Sequence, residues 1–178
     1  MKIVHIVESF AGGVFEFLLE LTNGVTEYEH VIVHGRRENT PLDFSSQFRQ
    51  GIQFIPWKVG REIHFKNDII AFHDLCRILR LLEHYDIVHL HSSKAGFLGR
   101  MANALLCNNK RVIYTSHGAS FLRKDVSAIK RKFFIVLEQI AHCAGGKVIA
   151  CSASEAKEFC RYYINAGYVS NGIDLKPS

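Results

Sequence analysis

The sequence predicts an α/β protein built on a Rossmann-like, doubly wound, mostly parallel sheet of about seven strands. Short β-branched runs alternate with amphipathic helical stretches along the whole chain. This alternation is typical of βαβ units, which pair their strands in parallel and place helices on both faces of the sheet. The runs Ile87–Leu90 and Val112–Tyr114 are almost continuously apolar, as expected for strands buried on both sides. The 178 residues suffice for one such domain.

The strands are predicted where β-branched and aromatic residues cluster between turn signals. We expect the usual doubly wound order 3-2-1-4-5-6, with the ligand crevice between the first and fourth strands. The predicted strands are Ile3–Val7, His30–His34, Gln53–Trp57, Ile87–His91, Val112–Ser116, Val148–Cys151 and a weaker run at Tyr168–Ser170.

Helices are predicted where apolar residues recur at helical spacing, and we expect these stripes to be core. A last helix, ending at Tyr162, follows the capping-box pair Ser152 and Glu155. The stripes are Val14, Phe17, Leu18 and Leu21; Ile69, Phe72, Leu75, Leu79 and Leu82; Phe97, Leu98, Met101, Ala102 and Leu105; and Ile129, Phe133, Val136, Leu137 and Ile140.

The composition is that of an ordinary globular protein, with 48% hydrophobic and 22% charged residues. No run approaches the roughly 20 apolar residues that span a bilayer. Residues 1–7 are typical of a first strand rather than a secretory signal, so we expect a cytoplasmic protein. The five cysteines are spread out without a CxxC pair, which favours buried thiols in a reducing compartment over a zinc site.

The net charge of +5 is concentrated in a few places. One interpretation of the larger basic cluster is a solvated helix face. Another is a surface for anionic lipid or for a phosphorylated acceptor. No nucleic-acid-binding motif accompanies the charge, so we expect no nucleic-acid partner. The larger cluster is Arg123, Lys124, Lys130, Arg131 and Lys132, and a smaller one is Arg61, His64, Phe65 and Lys66.

Unusual residues follow the first, fourth and fifth predicted strands, whose carboxyl ends border the expected crevice. After the first strand, Gly12 and Gly13 open a helix, where the backbone can approach a ligand and free N–H groups attract an anion. The alternative is a tight turn that merely requires glycine. The pair does not form GxGxxG, so the dinucleotide fingerprint is absent.

Histidines and hydroxyls follow the fourth and fifth strands. Strand alternation places His89 and His91 on one face. We expect His89 to be a core histidine, and His91 and Lys94 to face a ligand. His117, between Ser116 and Gly118, stands where it can hydrogen-bond a sugar hydroxyl or a phosphate.

The histidines at positions 89, 91 and 117 also have the composition of a metal site. We expect no metal there, because no carboxylate is predicted beside these loops to orient the ligands.

Together these segments resemble family 4 of the GT-B glycosyltransferases, in particular enzymes of bacterial polysaccharide biosynthesis. The resemblance implies the N-terminal, acceptor-side half of a GT-B enzyme, here residues 1–174, with residues 175–178 starting the interdomain linker. The matching segments are Lys2–Gly13, Asp86–Gly96, Val112–Gly118, Val148–Ser152 with Glu155, and Val169–Asp174.

The resemblance also implies a function. The full-length protein would be a retaining hexosyltransferase that uses a nucleoside-diphosphate sugar and a glycan or lipid-linked acceptor, without a cofactor. His117 matches the family's active-site histidine. By the same resemblance, Gly12, Gly13, Ser116 and Gly118 border the donor phosphate or the acceptor, and His91, Ser92 and Lys94 line the acceptor site. The C-terminal donor-binding domain is absent from this sequence, so we expect the fragment alone to be inactive.

Alternatives from other classes stay open. One is a non-catalytic, membrane-anchoring subunit of a split glycosyltransferase, located peripherally on the inner face of the membrane. Another is an NADP-binding Rossmann enzyme, for which Arg36 and Arg37 after the second strand offer weak support. A sugar-nucleotide epimerase is a related GT-B possibility, although its chemistry favours more carboxylates in the cleft.

Overall fold

The computed structural model describes residues 1–60, 62–82, 84–107 and 111–170. The strands are β1 Lys2–Val7, β2 Glu29–His34, β3 Gln53–Pro56, β4 Ile87–His91, β5 Arg111–Thr115, β6 Lys147–Ala150 and β7 Ala166–Tyr168. The helices are α1 Gly12–Gly24, α2 Phe44–Gln47, α3 Phe65–Leu81, α4 Ser93–Leu105, α5 Ala128–Cys143 and α6 Ala153–Arg161, with a 3₁₀ turn at Ser120–Leu122.

The strands form one sheet in the order β3-β2-β1-β4-β5-β6-β7, and every pair is parallel. The predicted Rossmann-like class and strand order are therefore confirmed. Strand β4 has the predicted bounds, and β1, β2 and β3 differ from the prediction by one residue at one end. Strands β5 and β6 begin and end one residue earlier than predicted. The last strand is displaced further, because Ala166 pairs with Val148 and strand β7 has already ended at Tyr168. The order reverses between β1 and β4, which places the crevice beside their carboxyl ends.

The two faces of the sheet differ in chemistry. Neighbouring parallel strands in register point their side chains to the same face, and residues two apart share a face. One face, which we call the aliphatic face, carries residues such as Val4, Ile6, Val88 and Leu90 and packs against α3, α4 and α6. The other, which we call the histidine face, packs against α1 and carries His5, His30, His34, His89 and His91.

A charged network lies buried within the layer over the aliphatic face. Arg100 of α4 donates from Nη2 to Glu138 of α5 at 2.7 Å, and its guanidinium carbon lies 4.4 Å from the ring centre of Tyr114. The Tyr114 hydroxyl donates to the other oxygen of Glu138 at 2.9 Å. Arg100 is only 1% exposed, so this network ties α4, α5 and β5 together away from water.

Helix α5 is the main departure from the predicted core. The expected stripe is largely in solvent, since Ile129 is 83% exposed and Phe133, Val136 and Ile140 are each nearly half exposed. The inner side of α5 is instead formed by Glu138, Ala141 and the partly buried Phe134 and Ile135. Spacing alone cannot tell which side of a helix with two apolar sides faces the sheet. Ile69 of α3 and Leu105 of α4 are also exposed members of predicted stripes.

Some predicted features lie outside the described residues, namely Arg61, the segment 171–174 and the proposed linker 175–178. Within the described part of the chain, no helix combines the length and the apolar character needed to cross a bilayer.

Candidate functional site

The loops after β1, β4 and β5 meet at the carboxyl edge of the sheet, as predicted. The Ser92 hydroxyl, at the end of β4, donates to the Glu8 carboxyl at the end of β1. The Ser92 amide donates to the Thr115 carbonyl of β5 at 2.9 Å. The ring of Phe17 on α1 packs edge-on against His117, with 4.7 Å between ring centres. These contacts join α1 and the three loops into one candidate site.

The N-terminus of α1 opens toward solvent at this edge. Gly12 and Gly13 are exposed and have no neighbouring atoms within 4 Å of where a Cβ would lie. Gly12 has a φ of +57°, a left-handed conformation that favours glycine. The preceding residue, Ala11, supplies no side-chain cap, so the first-turn N–H groups are presented to solvent or to an anion.

His117 lies at the centre of the site in a constrained turn. Its φ is +49° and that of Gly118 is +96°, so two successive residues adopt left-handed conformations. The His117 Nε2 atom is 3.0 Å from His91 Nδ1, and its Nδ1 atom is 3.8 Å from the Cys151 sulfur. Burial lowers the pKa of His117 to about 4, although Glu155 opposes this shift. The imidazole is therefore neutral at physiological pH.

Glu155 holds the His117 loop in place, a function that sequence reasoning missed. Its Oε1 atom accepts from the Ser116 hydroxyl at 2.6 Å and from the Ala119 amide at 2.8 Å. Its Oε2 atom accepts from the Cys151 amide at 2.8 Å. The capping box was predicted, and the Ser152 hydroxyl does accept from the Glu155 amide at 3.2 Å. The expectation that no carboxylate stands beside these loops is wrong for His117.

Ser116 and Gly118 flank His117 but occupy different environments. Ser116 is 1% exposed and its hydroxyl is committed to Glu155, so its side chain supports the loop. Gly118 is exposed and lines an open pocket of about 370 Å³ together with Cys151, Ser152 and Glu158. Of the two, Gly118 is the one that a ligand can reach. Their roles in donor or acceptor binding stay predictions.

His91, expected to face a ligand, is completely buried on the histidine face. Its Nε2 atom is 3.2 Å from His5 Nδ1, and its Nδ1 atom contacts His117. Because both ring nitrogens are engaged, His91 has no free polar atom for direct contact with an acceptor. It contacts His117 instead. His89 shares its face, with ring centres 4.0 Å apart, and its Nε2 atom lies 2.9 Å from Thr115 Oγ1.

Among the residues that the structure describes, His5, His89 and His91 have ring nitrogens within 4.8 Å of one another, whereas the sequence had suggested His89, His91 and His117. The expectation of a metal-free site stays a prediction.

Ser92 and Lys94 are both held by protein groups. Ser92 has a φ of +73° and donates to Glu8, whose own pKa is raised by burial. The Lys94 ammonium lies 2.8 Å from Asp68 Oδ1 and 2.8 Å from the Gly60 carbonyl, and it also donates to the Glu62 carbonyl. Lys94 therefore ties the loop before α3 to α4. Its predicted contact with an acceptor would require exchanging these partners.

The predicted basic surface forms around the start of α5, with one member turned inward. Lys124, Lys130 and Lys132 are exposed. Arg123 pairs with Asp125 at 2.5 Å, while Arg131 is half-buried and donates to the Arg123 carbonyl at 3.2 Å. On the helix, Lys130 and Lys132 flank the exposed stripe of Ile129 and Phe133.

The Rossmann-like fold with an all-parallel sheet is shared with solved structures of GT-B proteins. Sucrose-phosphate synthase from Thermosynechococcus elongatus has this fold, with a TM-score of 0.67 at 14% identity over 98% of this chain and 49% of that one. The sequence profile of Glycosyltransferase Family 4 matches residues 11–177. The chain belongs to this family, which confirms the resemblance.

Two curated relatives are similar in sequence. An uncharacterized 41.2 kDa protein in the cps region of Klebsiella pneumoniae is 31% identical over 98% of this chain and 46% of its own length. The UDP-Gal:α-D-GlcNAc-diphosphoundecaprenol α-1,3-galactosyltransferase of Escherichia coli is 34% identical over 69% of this chain and 32% of its own length. The chain thus spans less than half of either relative.

Proposed function

We propose that this chain forms the acceptor side of a retaining hexosyltransferase that uses a nucleoside-diphosphate sugar and a glycan or lipid-linked acceptor. One observation carries the proposal: His117 packs against Phe17, about one helical turn beyond the α1 N-terminus at Gly12 and Gly13. A group suited to a sugar hydroxyl and a helix end suited to a diphosphate therefore stand side by side. The name of the E. coli relative, with a UDP-sugar donor and a diphosphoundecaprenol acceptor, supports the same substrate classes.

The chemistry follows from where charge develops during transfer. The departing diphosphate gains negative charge, which the first-turn N–H groups of α1 stabilise without reorganisation. The sugar gains oxocarbenium-like positive charge, which a cationic side chain would oppose. His117 is neutral because burial lowers its pKa to about 4, so it can hydrogen-bond the sugar without that penalty. No cofactor enters the proposed reaction.

The donor pocket is proposed to lie mainly in the remainder of the full-length protein, so this chain alone should be inactive. Titration calorimetry of the chain against a panel of nucleoside diphosphates and their sugars should then detect weak binding or none. Tight, selective binding would mean that the chain carries its own nucleotide site, and the acceptor-side assignment would be wrong.

The residue test uses the full-length protein with a UDP-sugar and a lipid-linked glycan acceptor. We expect His117→Ala to lower kcat by about 10²-fold, the typical effect of removing one preorganised group at a reaction centre. His73→Ala, at an exposed histidine of α3, is the matched control and should retain activity. Equal activity of the two variants would contradict the proposed role of His117 in sugar transfer.

We further propose that the enzyme works on the inner face of the membrane and contacts anionic lipid through α5. The exposed Ile129, Phe133, Val136 and Ile140 form one stripe, flanked by Lys130 and Lys132. Apolar residues between cations are typical of helices that lie in a membrane interface. A lipid-linked acceptor, as in the name of the E. coli relative, also requires an enzyme that reaches the membrane surface.

Co-sedimentation with vesicles rich in phosphatidylglycerol tests this surface. Each basic residue near such a membrane contributes about 1 kcal/mol, so Lys130→Glu with Lys132→Glu should reduce binding at least tenfold. Arg77→Glu with Arg80→Glu, exposed residues of α3, is the charge-matched control. Equal losses in both pairs would indicate a net-charge effect and would reject α5 as the contact.

A further inference from the structure

A continuous chain of four histidines crosses the histidine face beneath α1. His30 Nδ1 lies 3.0 Å from His5 Nε2, and His5 Nδ1 lies 3.2 Å from His91 Nε2. His91 Nδ1 lies 3.0 Å from His117 Nε2. The chain therefore runs from β2 through β1 and β4 to the loop after β5. His30, His5 and His91 are each no more than 2% exposed, so water does not compete for these contacts.

The far end of the chain fixes the direction of every hydrogen bond. His30 Nε2 is 2.9 Å from the Val25 carbonyl, which can only accept, so this nitrogen carries the proton. A neutral imidazole has one N–H, and His30 Nδ1 must therefore accept from His5 Nε2. By the same step His5 Nδ1 accepts from His91. His91 Nδ1 in turn accepts from His117 Nε2, which leaves His117 Nδ1 as a lone pair.

This direction holds only if all four rings are neutral. Burial is the largest cause of a lowered pKa in each of them, and neighbouring histidines lower it further for His5 and His91. A doubly protonated ring within the chain would donate from both of its nitrogens and reverse every link between it and His117, which would move the His117 proton to Nδ1. The Val25 carbonyl and the buried surroundings therefore select one tautomeric arrangement.

We propose that His30, His5 and His91 are positioning residues that hold His117 in its Nε2–H tautomer, so that its Nδ1 lone pair accepts a hydrogen bond from a sugar hydroxyl. This inference rests on the proposed function and deepens it. The Cys151 sulfur lies 3.8 Å from this Nδ1 atom, and its thiol is a weak donor that a sugar hydroxyl can replace. The site would therefore select a sugar that places a hydroxyl group against His117 Nδ1.

A competing use of the same residues is metal binding by His5, His89 and His91, whose nitrogens lie within 4.8 Å of one another. Both nitrogens of His5 and of His91 are already engaged in the chain. A bound ion would therefore break at least one of its links. Zinc analysis of the purified protein separates the two uses, because stoichiometric, tightly held zinc would overturn the proposal.

The direct test is nuclear magnetic resonance of protein labelled with ¹⁵N-histidine, in which the two tautomers give distinct nitrogen shifts. In the unmodified protein, His30, His5, His91 and His117 should all be protonated at Nε2. A proton on His117 Nδ1 would overturn the proposal without any variant. The measurement does not depend on sugar transfer, so failure of the proposed function and failure of this inference are distinguishable.

Matched variants at His5 then test the link itself. His5→Phe keeps an aromatic ring at this position but breaks the chain, so His117 should become a mixture of tautomers. The kcat of the full-length protein should then fall about tenfold, as for one lost hydrogen bond. His5→Gln keeps one donor and one acceptor and should recover much of both signals. His34→Phe, equally buried on β2 but outside the chain, is the control. An unchanged His117 signal in His5→Phe would overturn the proposal.

Discussion

The two faces of the sheet bury different kinds of side chain. The aliphatic face is lined by Val4, Ile6, Val88 and Leu90, which need no partners beyond close packing. The histidine face buries ring after ring, and each ring in the chain from His30 to His117 satisfies the next. Burial of polar groups is tolerated there because every link supplies a hydrogen bond.

This difference shows where stability and function separate in the fold. The aliphatic face is stabilised by apolar area, which does not change with pH. The histidine face carries groups whose protonation matters, and it leads directly to His117 at the carboxyl edge. Helix α1 covers the histidine face and also supplies the glycines and Phe17 of the candidate site.

The largest expected effect comes from the charged network over the aliphatic face. Arg100→Ala would leave Glu138 buried without its cation, and we expect unfolding free energy to fall by about 3–5 kcal/mol. Chemical denaturation measures this loss. The double variant Arg100→Met with Glu138→Leu should recover most of it, because apolar residues of similar volume replace the pair. A loss no larger than that of exposed Arg77→Ala would contradict a stabilising network.

The next effect is acid sensitivity of the histidine face. Burial and Arg36 lower the pKa of His34 to about 4, and burial and His117 lower that of His89 to about 3. Unfolding restores a pKa near 6.5, so the unfolded chain takes up protons that the folded chain excludes as pH falls from about 6.5 toward 4. Stability should be full above pH 7 and should drop at pH 5 by about 2 kcal/mol for each of these two histidines.

Denaturation at pH 7.5 and pH 5 measures this slope, and two variants assign it to a face. His34→Phe should flatten the slope, since the His34 Nδ1 atom has no hydrogen-bond partner among the described residues and the ring packs among Phe10, Phe44 and Phe54. Leu90→Ala on the aliphatic face should lower stability equally at both pH values. If unfolding free energy changed less with pH in Leu90→Ala than in His34→Phe, the acid sensitivity would belong to the aliphatic face and the prediction would be wrong.

The smallest effect is expected on the outer side of α5. Because Phe133 is 48% exposed, Phe133→Ser should change unfolding free energy by no more than about 0.5 kcal/mol, as is usual for surface substitutions. Phe121→Ser, at a residue 2% exposed in the adjoining 3₁₀ turn, is the buried counterpart and should cost several times more. Similar losses of unfolding free energy in both variants would mean that the exposed stripe of α5 is part of the core.

Much of the fold was predictable because periodicity reports burial. The alternation of strand and helix predicted β1 to β6 closely, and the position of His117 after β5 followed from it. The orientation of α5 was not predictable, because the burial of Glu138 depends on partners in other elements, Arg100 of α4 and Tyr114 of β5. The burial of His91 was missed for a related reason, since its partners His5 and His117 lie 86 and 26 residues away.

The placement of β1 beside β4 has a consequence for how the protein is made. His30 and His5 are 25 residues apart and can meet soon after the first two strands leave the ribosome, whereas His5 and His91 are separated by 86 residues. The central pairing of the sheet therefore waits until about half of this chain has been synthesised. Until then the edge of β1 is unpaired and His5 lacks its second partner. Formation of the link between His5 and His91 thus accompanies the step during synthesis at which the two halves of the sheet first join.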